Sequence, residues 1–262
     1  AYATVHPISS IRGGLARVRA GDLDVQLGVW DSTEMGLLQA GFNEMAAGLR
    51  ERERIRDLFG RHVGADVARR ALTRDAVELG GEEATVAVLF VDLVGSTALA
   101  ATNPPQRVVE LLNRFFAEVV AVVEEHGGWI NKFQGDAALA VFGAPVEVDD
   151  PYGSALRAAR ELSACLRARV KSVEAAIGVA SGTAVAGQIG AEQRFEYTVI
   201  GDPVNEAARL TELAKGRPER LLASHDTVRR AQGTEGSHWE QRETVTLRGR
   251  TRPTGVAVPR ET

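Results

Sequence analysis

Val86-Ala87-Val88-Leu89-Phe90-Val91-Asp92-Leu93-Val94-Gly95-Ser96-Thr97 is the stretch on which the reading of this chain turns. Six apolar residues run without interruption into one aspartate, and a glycine with two hydroxyl residues follows. An apolar run of this length, rich in valine, reads as a buried strand, Thr85 to Val91. A second stretch, Trp129-Ile130-Asn131-Lys132-Phe133-Gln134-Gly135-Asp136, also ends in an aspartate, with Ala137-Ala138-Leu139-Ala140-Val141-Phe142 behind it. Gly135-Asp136 between two strand-like segments reads as a hairpin turn. A strand end and a hairpin turn are places where a protein builds a rigid site for a divalent ion. If both carboxylates bind metal, the chain is an enzyme that works on phosphates. A lone aspartate at a strand end is more often a structural cap, so the pair shifts the balance only modestly.

Outward from this pair, strands alternate with helices from about Glu83. Pro105 to Glu125 carries Val108, Leu111, Leu112, Phe115, Val119 and Val122 on one face, and His126-Gly127-Gly128 ends it. Asp149 to Val170 reads as a second helix. Ala175 to Ala180 and Thr183 to Ile189 read as two strands, and Pro203 to Leu213 as a helix. Leu221 to Ala223 and Thr244 to Leu247 read as short strands. The order β-α-β-β-α-β predicts an α+β, ferredoxin-like core with additions.

Residues 1 to 50 have another texture. Ile8, Ile11, Leu15 and Val18 are spaced 3, 4 and 3 apart, with Pro7 read as part of a first helical turn. Gly21 breaks the series, and Leu23, Val25 and Leu27 alternate with polar residues as a connector would. Met35, Leu38, Phe42, Met45 and Leu49 form a heptad seam, with Asp31 and Glu34 as a capping box. Two short heptad helices cannot bury both seams alone and call for a partner, most simply a second copy. Residues 51 to 82 continue as a charged helix with Ile55, Leu58, Phe59, Val63 and Val67 on a stripe. That stretch reads equally as a solvated linker or a coupling helix.

Composition narrows the function classes. The chain has 31 basic and 35 acidic residues, a net charge of −4, which argues against a nucleic-acid partner. Cys165 is the only cysteine, so neither an internal disulfide nor a cysteine metal cluster can form. Ala175 to Ala191 is the longest uncharged stretch, but its Gly, Ser and Thr content suits strand and turn better than a membrane span. The first residues read like the middle of something longer.

Several side chains complete a candidate site. Mg²⁺ takes one or two carboxylates plus substrate phosphate oxygens, and two carboxylates can hold two such ions. Gly95, Ser96 and Thr97 open the next helix, whose free N–H groups can meet phosphate, although an ordinary strand-to-helix turn looks the same. Lys132 and Asp136, four apart on an extended chain, are about 13 Å from each other, so they serve opposite ends of one nucleotide or two different sites, with a surface lysine at a hairpin edge as the bland alternative. Asn205 and Arg209, four apart on a helix, share a face that suits a sugar and a phosphate. A solvated face is an even alternative for that pair.

Together these stretches resemble the class III nucleotidyl cyclases, over residues 83 to about 250. The carriers are Phe90 to Thr97, Lys132-Phe133-Gln134-Gly135-Asp136-Ala137, Gly178-Val179-Ala180-Ser181-Gly182 with Val185-Ala186-Gly187, and Tyr197 to Arg209. Pro7, Gly21-Asp22, Asp31 to Leu38 and Phe42-Asn43-Glu44-Met45 resemble a HAMP domain, with an ordinary helical hairpin or dimer arm as the bland alternative.

The resemblance implies a HAMP domain at 1–52, a coupling helix at 53–82 and a catalytic domain at 83–262. It implies metal ligation by Asp92 and Asp136 (two Mg²⁺ or Mn²⁺ per site) and base reading by Lys132, where lysine goes with ATP. Thr198 falls where many family members carry aspartate, which puts base selectivity in question. Asn205 would position ribose, and Arg209 would stabilise the transition state. The family works as a head-to-tail dimer in which one chain supplies metals and the other Lys132, Thr198, Asn205 and Arg209. The expectation is a HAMP-regulated adenylate cyclase, on the cytoplasmic side of a membrane and anchored upstream of residue 1. A guanylate cyclase or a non-catalytic nucleotide-binding module is the alternative.

Overall fold

The computed structural model describes residues 2–29, 33–63, 79–191 and 193–260. Contacts divide the chain into two units, Ala1–Ala65 and Asp66–Thr262.

In the first unit α1 (Tyr2–Arg19) and α2 (Glu34–Val63) flank the connector. Helix α1 starts earlier than expected, so Pro7 lies in its second turn, where it forfeits a single backbone hydrogen bond. Val25 and Leu27 of the connector bury Phe42 and Ala46, with Ile11 and Val18 against them. The Asn43 side chain holds the connector by both edges: Oδ1 accepts from Leu27 N and Nδ2 donates to Leu27 O, each at 2.8 Å. The expected seam therefore divides. Phe42 turns onto the connector, while Ile8, Leu15, Leu38 and Met45 stay exposed in the single chain. Helix α2 passes through residues 51–63 without a break, with Ile55 and Leu58 exposed. Asp31 of the capping box, Val67, and the side chains of Phe59 and Val63 lie outside the described residues.

The second unit is built on β1 (Gly80–Val94), α3 (Ser96–Thr102), α4 (Pro105–Glu125), β2 (Trp129–Gln134), β3 (Ala137–Phe142), α5 (Pro151–Arg169) and β4 (Glu174–Ala191). Strands β2, β3, β1 and β4 lie in that order, each antiparallel to the next, which is the ferredoxin-like arrangement the sequence predicts. The additions are β5 (Arg194–Ile200), α6 (Asp202–Ala214), β6 (Leu221–Ser224), α7 (His225–Arg230), β7 (Trp239–Val245) and β8 (Thr254–Pro259). They extend the sheet through β6, β8 and β7, while β5 pairs with the far half of β4.

Several expectations change here. The helix expected over residues 51 to 82 does not reach its expected end, because β1 already begins at Gly80 and pairs there with β4. The two strands expected at Ala175–Ala180 and Thr183–Ile189 are one, because β1 is long enough to pair straight through Ser181, Gly182 and Thr183. Strands β5 and β8 were not expected, and the strand expected at Thr244–Leu247 begins at Trp239.

Strand β1 explains the layering. Its alternate residues Ala87, Leu89, Val91 and Leu93 pack with Phe115 and Val119 of α4 and Leu156 and Leu162 of α5. Val86 and Val88 point the other way, against Ala207, Leu210 and Ala214 of α6. Each large side chain buried in full here contributes about 1.5–3 kcal/mol. With a period of two, Asp92 falls on the α6 side of the sheet.

Candidate active site

Register brings the two aspartates together. Asp92 pairs with Ala137 on β3 and Ala176 on β4. Asp136 is the residue before Ala137, in the β2–β3 turn, so two carboxylates 44 positions apart in the chain sit side by side.

A cation stands with them. Lys215, at the C-terminal end of α6, places Nζ 2.7 Å from Asp92 Oδ2 and 3.3 Å from Glu212 Oε2. The Asp92 and Lys215 side chains are 19% and 29% exposed. Burial pushes the Asp92 carboxyl above its usual value, Lys215 pulls it back by hydrogen bond and charge, and Asp136 pushes it up again. Burial pushes Lys215 down, but the hydrogen bond and charge of Asp92, then of Glu212, carry its ammonium above the usual value. The site thus concentrates negative charge and draws in a positive group, which is what a divalent ion needs. Among the described residues no three His, Cys, Asp or Glu side chains converge to hold a metal. Two carboxylates without a third are a donor set that would suit Mg²⁺, which commonly takes its other ligands from backbone, water or substrate oxygens.

Helix α6 is held close to this face. Gly178 on β4 makes room for it: a Cβ there would overlap the Ala207 carbonyl oxygen and lie 2.5 Å from the Thr211 amide nitrogen. Thr211 Oγ1 donates to Ala207 O (2.8 Å) and Phe90 O (3.1 Å), tying α6 to β1 two residues before Asp92. Arg250 clamps the other end, pairing with Asp202 and Glu206. Asn205 and Arg209 project from this fixed helix as exposed residues. Gly95 takes φ 75° and caps the short helix that Ser96 and Thr97 open, so the chain turns sharply just after Asp92.

Lys132 and Thr198 belong to a second cluster. Lys132 Nζ lies 2.5 Å from Glu196 Oε1 on β5. Thr198, two residues on, is buried and within 3.2 Å of Asn131 Oδ1. Asn131 also donates through Nδ2 to Tyr197 O at 3.1 Å. The structure therefore groups Asp92 with Asp136, and Lys132 with Thr198, while Asn205 and Arg209 stand on α6.

Three neighbours were not anticipated: Lys215, Glu196 and Asn131. Glu196 had a signal, since it shares a strand face with Thr198 at period two and opposes the charge of Lys132. Lys215 had none, because nothing local to it points to Asp92.

The family model for the adenylate and guanylate cyclase catalytic domain matches residues 81–258, and that for the HAMP domain matches residues 1–51. The uncharacterized protein Rv1319c of Mycobacterium tuberculosis is 58% identical over 259 residues, 99% of this chain and 48% of that protein. The chain spans about half the length of the curated relatives it matches. Among solved structures, the guanylyl cyclase Cya2 is 29% identical with a TM-score of 0.61, covering 69% of this chain and 94% of that one. A bacterial light-regulated adenylyl cyclase reaches a TM-score of 0.70 at 19% identity, covering 87% and 66%, a likeness of fold alone.

Proposed function

Because the chain belongs to the class III adenylate and guanylate cyclase family, with a HAMP domain ahead of its catalytic domain, we propose that it converts ATP to 3′,5′-cyclic AMP and pyrophosphate at sites shared by two copies. A cyclase of this class is a lyase that acts on a nucleotide and depends on divalent metal. The observation that carries the reading is the pair Asp92 and Asp136, side by side with the Lys215 ammonium against them.

The residues divide the work as follows. Two Mg²⁺ or Mn²⁺ ions held by Asp92 and Asp136 would acidify the ribose 3′-hydroxyl and offset phosphate charge. Lys132 donates to the base, with Thr198 beside it. Asn205 orients the ribose so that the 3′-oxygen lies in line with the α-phosphorus. That oxygen gives up its proton to water or to a phosphate oxygen of the substrate and bonds to the α-phosphorus as the bond to the bridging oxygen breaks and pyrophosphate leaves. Arg209 hydrogen-bonds the phosphate oxygens on which charge accumulates. The exposure of Asn205 and Arg209 in the single chain suits residues that complete the partner's site.

Among the described residues no helix is long and apolar enough to cross a membrane. The proposal places the anchor upstream of residue 1, the catalytic unit in the cytoplasm, and control in the HAMP domain. The exposed Ile8, Leu15, Leu38 and Met45, which a second copy would cover, support a dimer at that end.

The test offers ATP and GTP in competition to the purified protein with Mg²⁺ or Mn²⁺. Cyclic AMP as the main product is expected. Mainly cyclic GMP would make the chain a guanylate cyclase, and binding without turnover a signalling module.

A further inference from the structure

The base-reading cluster holds a chain of hydrogen bonds with only one consistent direction. Tyr197 O is a backbone carbonyl and can only accept, so the atom of Asn131 facing it at 3.1 Å is the amide nitrogen. That leaves Asn131 Oδ1 turned toward Thr198 Oγ1 at 3.2 Å. An amide oxygen also only accepts, so the Thr198 hydroxyl proton is committed to Asn131. What Thr198 offers to anything else is its lone pairs. Thr198 is 5% exposed, so water has little access to compete for that proton.

The backbone is built for this contact. In the β2–β3 ladder Ile130 pairs with Ala140 and Lys132 with Leu139, so Asn131 is the additional residue of a β-bulge. A bulge re-aims the side chain it carries, here away from the regular ladder and across to β5. Lys132, the next residue, is held against Glu196 and donates only.

We propose that Asn131 is a positioning residue that locks the Thr198 hydroxyl as a hydrogen-bond acceptor, so that threonine does the work of an aspartate in selecting a purine with an amino group at position 6. The proposal rests on the reading of Lys132 and Thr198 as the base-contacting pair. A hydroxyl free to turn donates to the 6-carbonyl of guanine as well as it accepts from the 6-amino group of adenine. A hydroxyl whose proton is already committed meets the carbonyl with lone pairs facing lone pairs. The lock, and not the threonine alone, makes the position selective.

The test is a double-mutant cycle on the whole protein, with fluorescent ATP and GTP analogues for binding and kcat/KM for turnover of both nucleotides. Asn131→Ala should lower the ATP-over-GTP ratio by about tenfold, the scale of one mispaired buried hydrogen bond. In a Thr198→Val background, where no hydroxyl remains to be locked, the same change should leave the ratio unmoved. A packing role for Asn131 would move both backgrounds alike and overturn the proposal. Melting temperatures identify any variant that has lost its fold; if Asn131→Ala has, Asn131→Leu, which keeps the bulk and removes the acceptor, takes its place in both backgrounds. Wild-type protein that binds neither nucleotide overturns the base-site reading together with the lock. Wild type that discriminates, with Asn131→Ala discriminating equally, overturns the lock alone.

Discussion

Lys215 lies against Asp92, one of the two carboxylates proposed to hold metal, and its removal has a calculable consequence. Lys215→Met keeps the length of the side chain and deletes the charge. At the observed 2.7 Å, two unit charges in an effective dielectric of ~20 attract by about 6 kcal/mol before desolvation and side-chain ordering are counted. Those costs return most of that sum, and a half-buried pair retains about 1–2 kcal/mol, between the exposed and buried cases. A divalent ion must break this pair in order to bind, so the variant should bind Mn²⁺ about tenfold more tightly, since 1.4 kcal/mol is a factor of ten. Without metal the same variant leaves Asp92 and Asp136 facing each other uncompensated, so it should melt below wild type. Added Mn²⁺ should then raise its melting temperature by more than it raises that of wild type. Electron paramagnetic resonance of free Mn²⁺, with nucleotide absent, reads the affinity directly. Equal or weaker Mn²⁺ binding by a folded Lys215→Met protein would refute the idea that the lysine competes for the metal site.

Other outcomes follow from the same geometry. Asp92→Ala and Arg209→Ala should each abolish cyclase activity, yet mixing and refolding the two should restore about a quarter of it. Half of the dimers are then mixed, and each keeps one intact site of two; no recovery would mean that a site is complete within one chain. Asp92 has a raised folded pKa, so it favours the fold below its unfolded value and loses that contribution as pH rises through the folded one. A metal held by that carboxylate would compete with its proton, so Mn²⁺ affinity should fall as acid protonates Asp92, which a titration towards acid pH reads. Gly178→Ala should destabilise the protein by about 1–3 kcal/mol in urea, as α6 is pushed off β4. The same variant should also lose turnover, because Asn205 and Arg209 move with the helix.

Much of this was legible in the chain because it is local. The run from Val86 to Val91 identifies β1, and Pro105 and His126-Gly127-Gly128 bracket α4 at the ends the structure gives it. Gly135-Asp136 marks the hairpin. What escaped was set by partners remote in sequence. Gly182 looks like a break between strands, but β1 is long enough to hold both sides of it in one ladder. Strand β8 is short, and its pairing with β6 and β7 gives it an identity that its six residues lack alone. Phe42 belongs to a heptad by spacing, yet Val25 and Leu27 claim it because the connector folds back. Among the site residues, Asp92 and Asp136 carry their own local signal. Lys215 and Asn131 acquire meaning only when the end of α6 is brought against β1 and the bulge of β2 against β5.

The pairing of β1 with β3 also works as a caliper. Nothing covalent nearby sets the gap between Asp92 and Asp136; it is set by six residue pairs, from Ala87 opposite Phe142 to Asp92 opposite Ala137. A slip of one residue along that ladder would carry Asp92 about 3.4 Å along the strand and turn its carboxylate to the other face of the sheet. The spacing of the two carboxylates is therefore held by Ala138, Ala140 and Phe142, buried residues with no chemistry of their own. Larger side chains at the two alanines would detune the spacing of the carboxylates without touching either one.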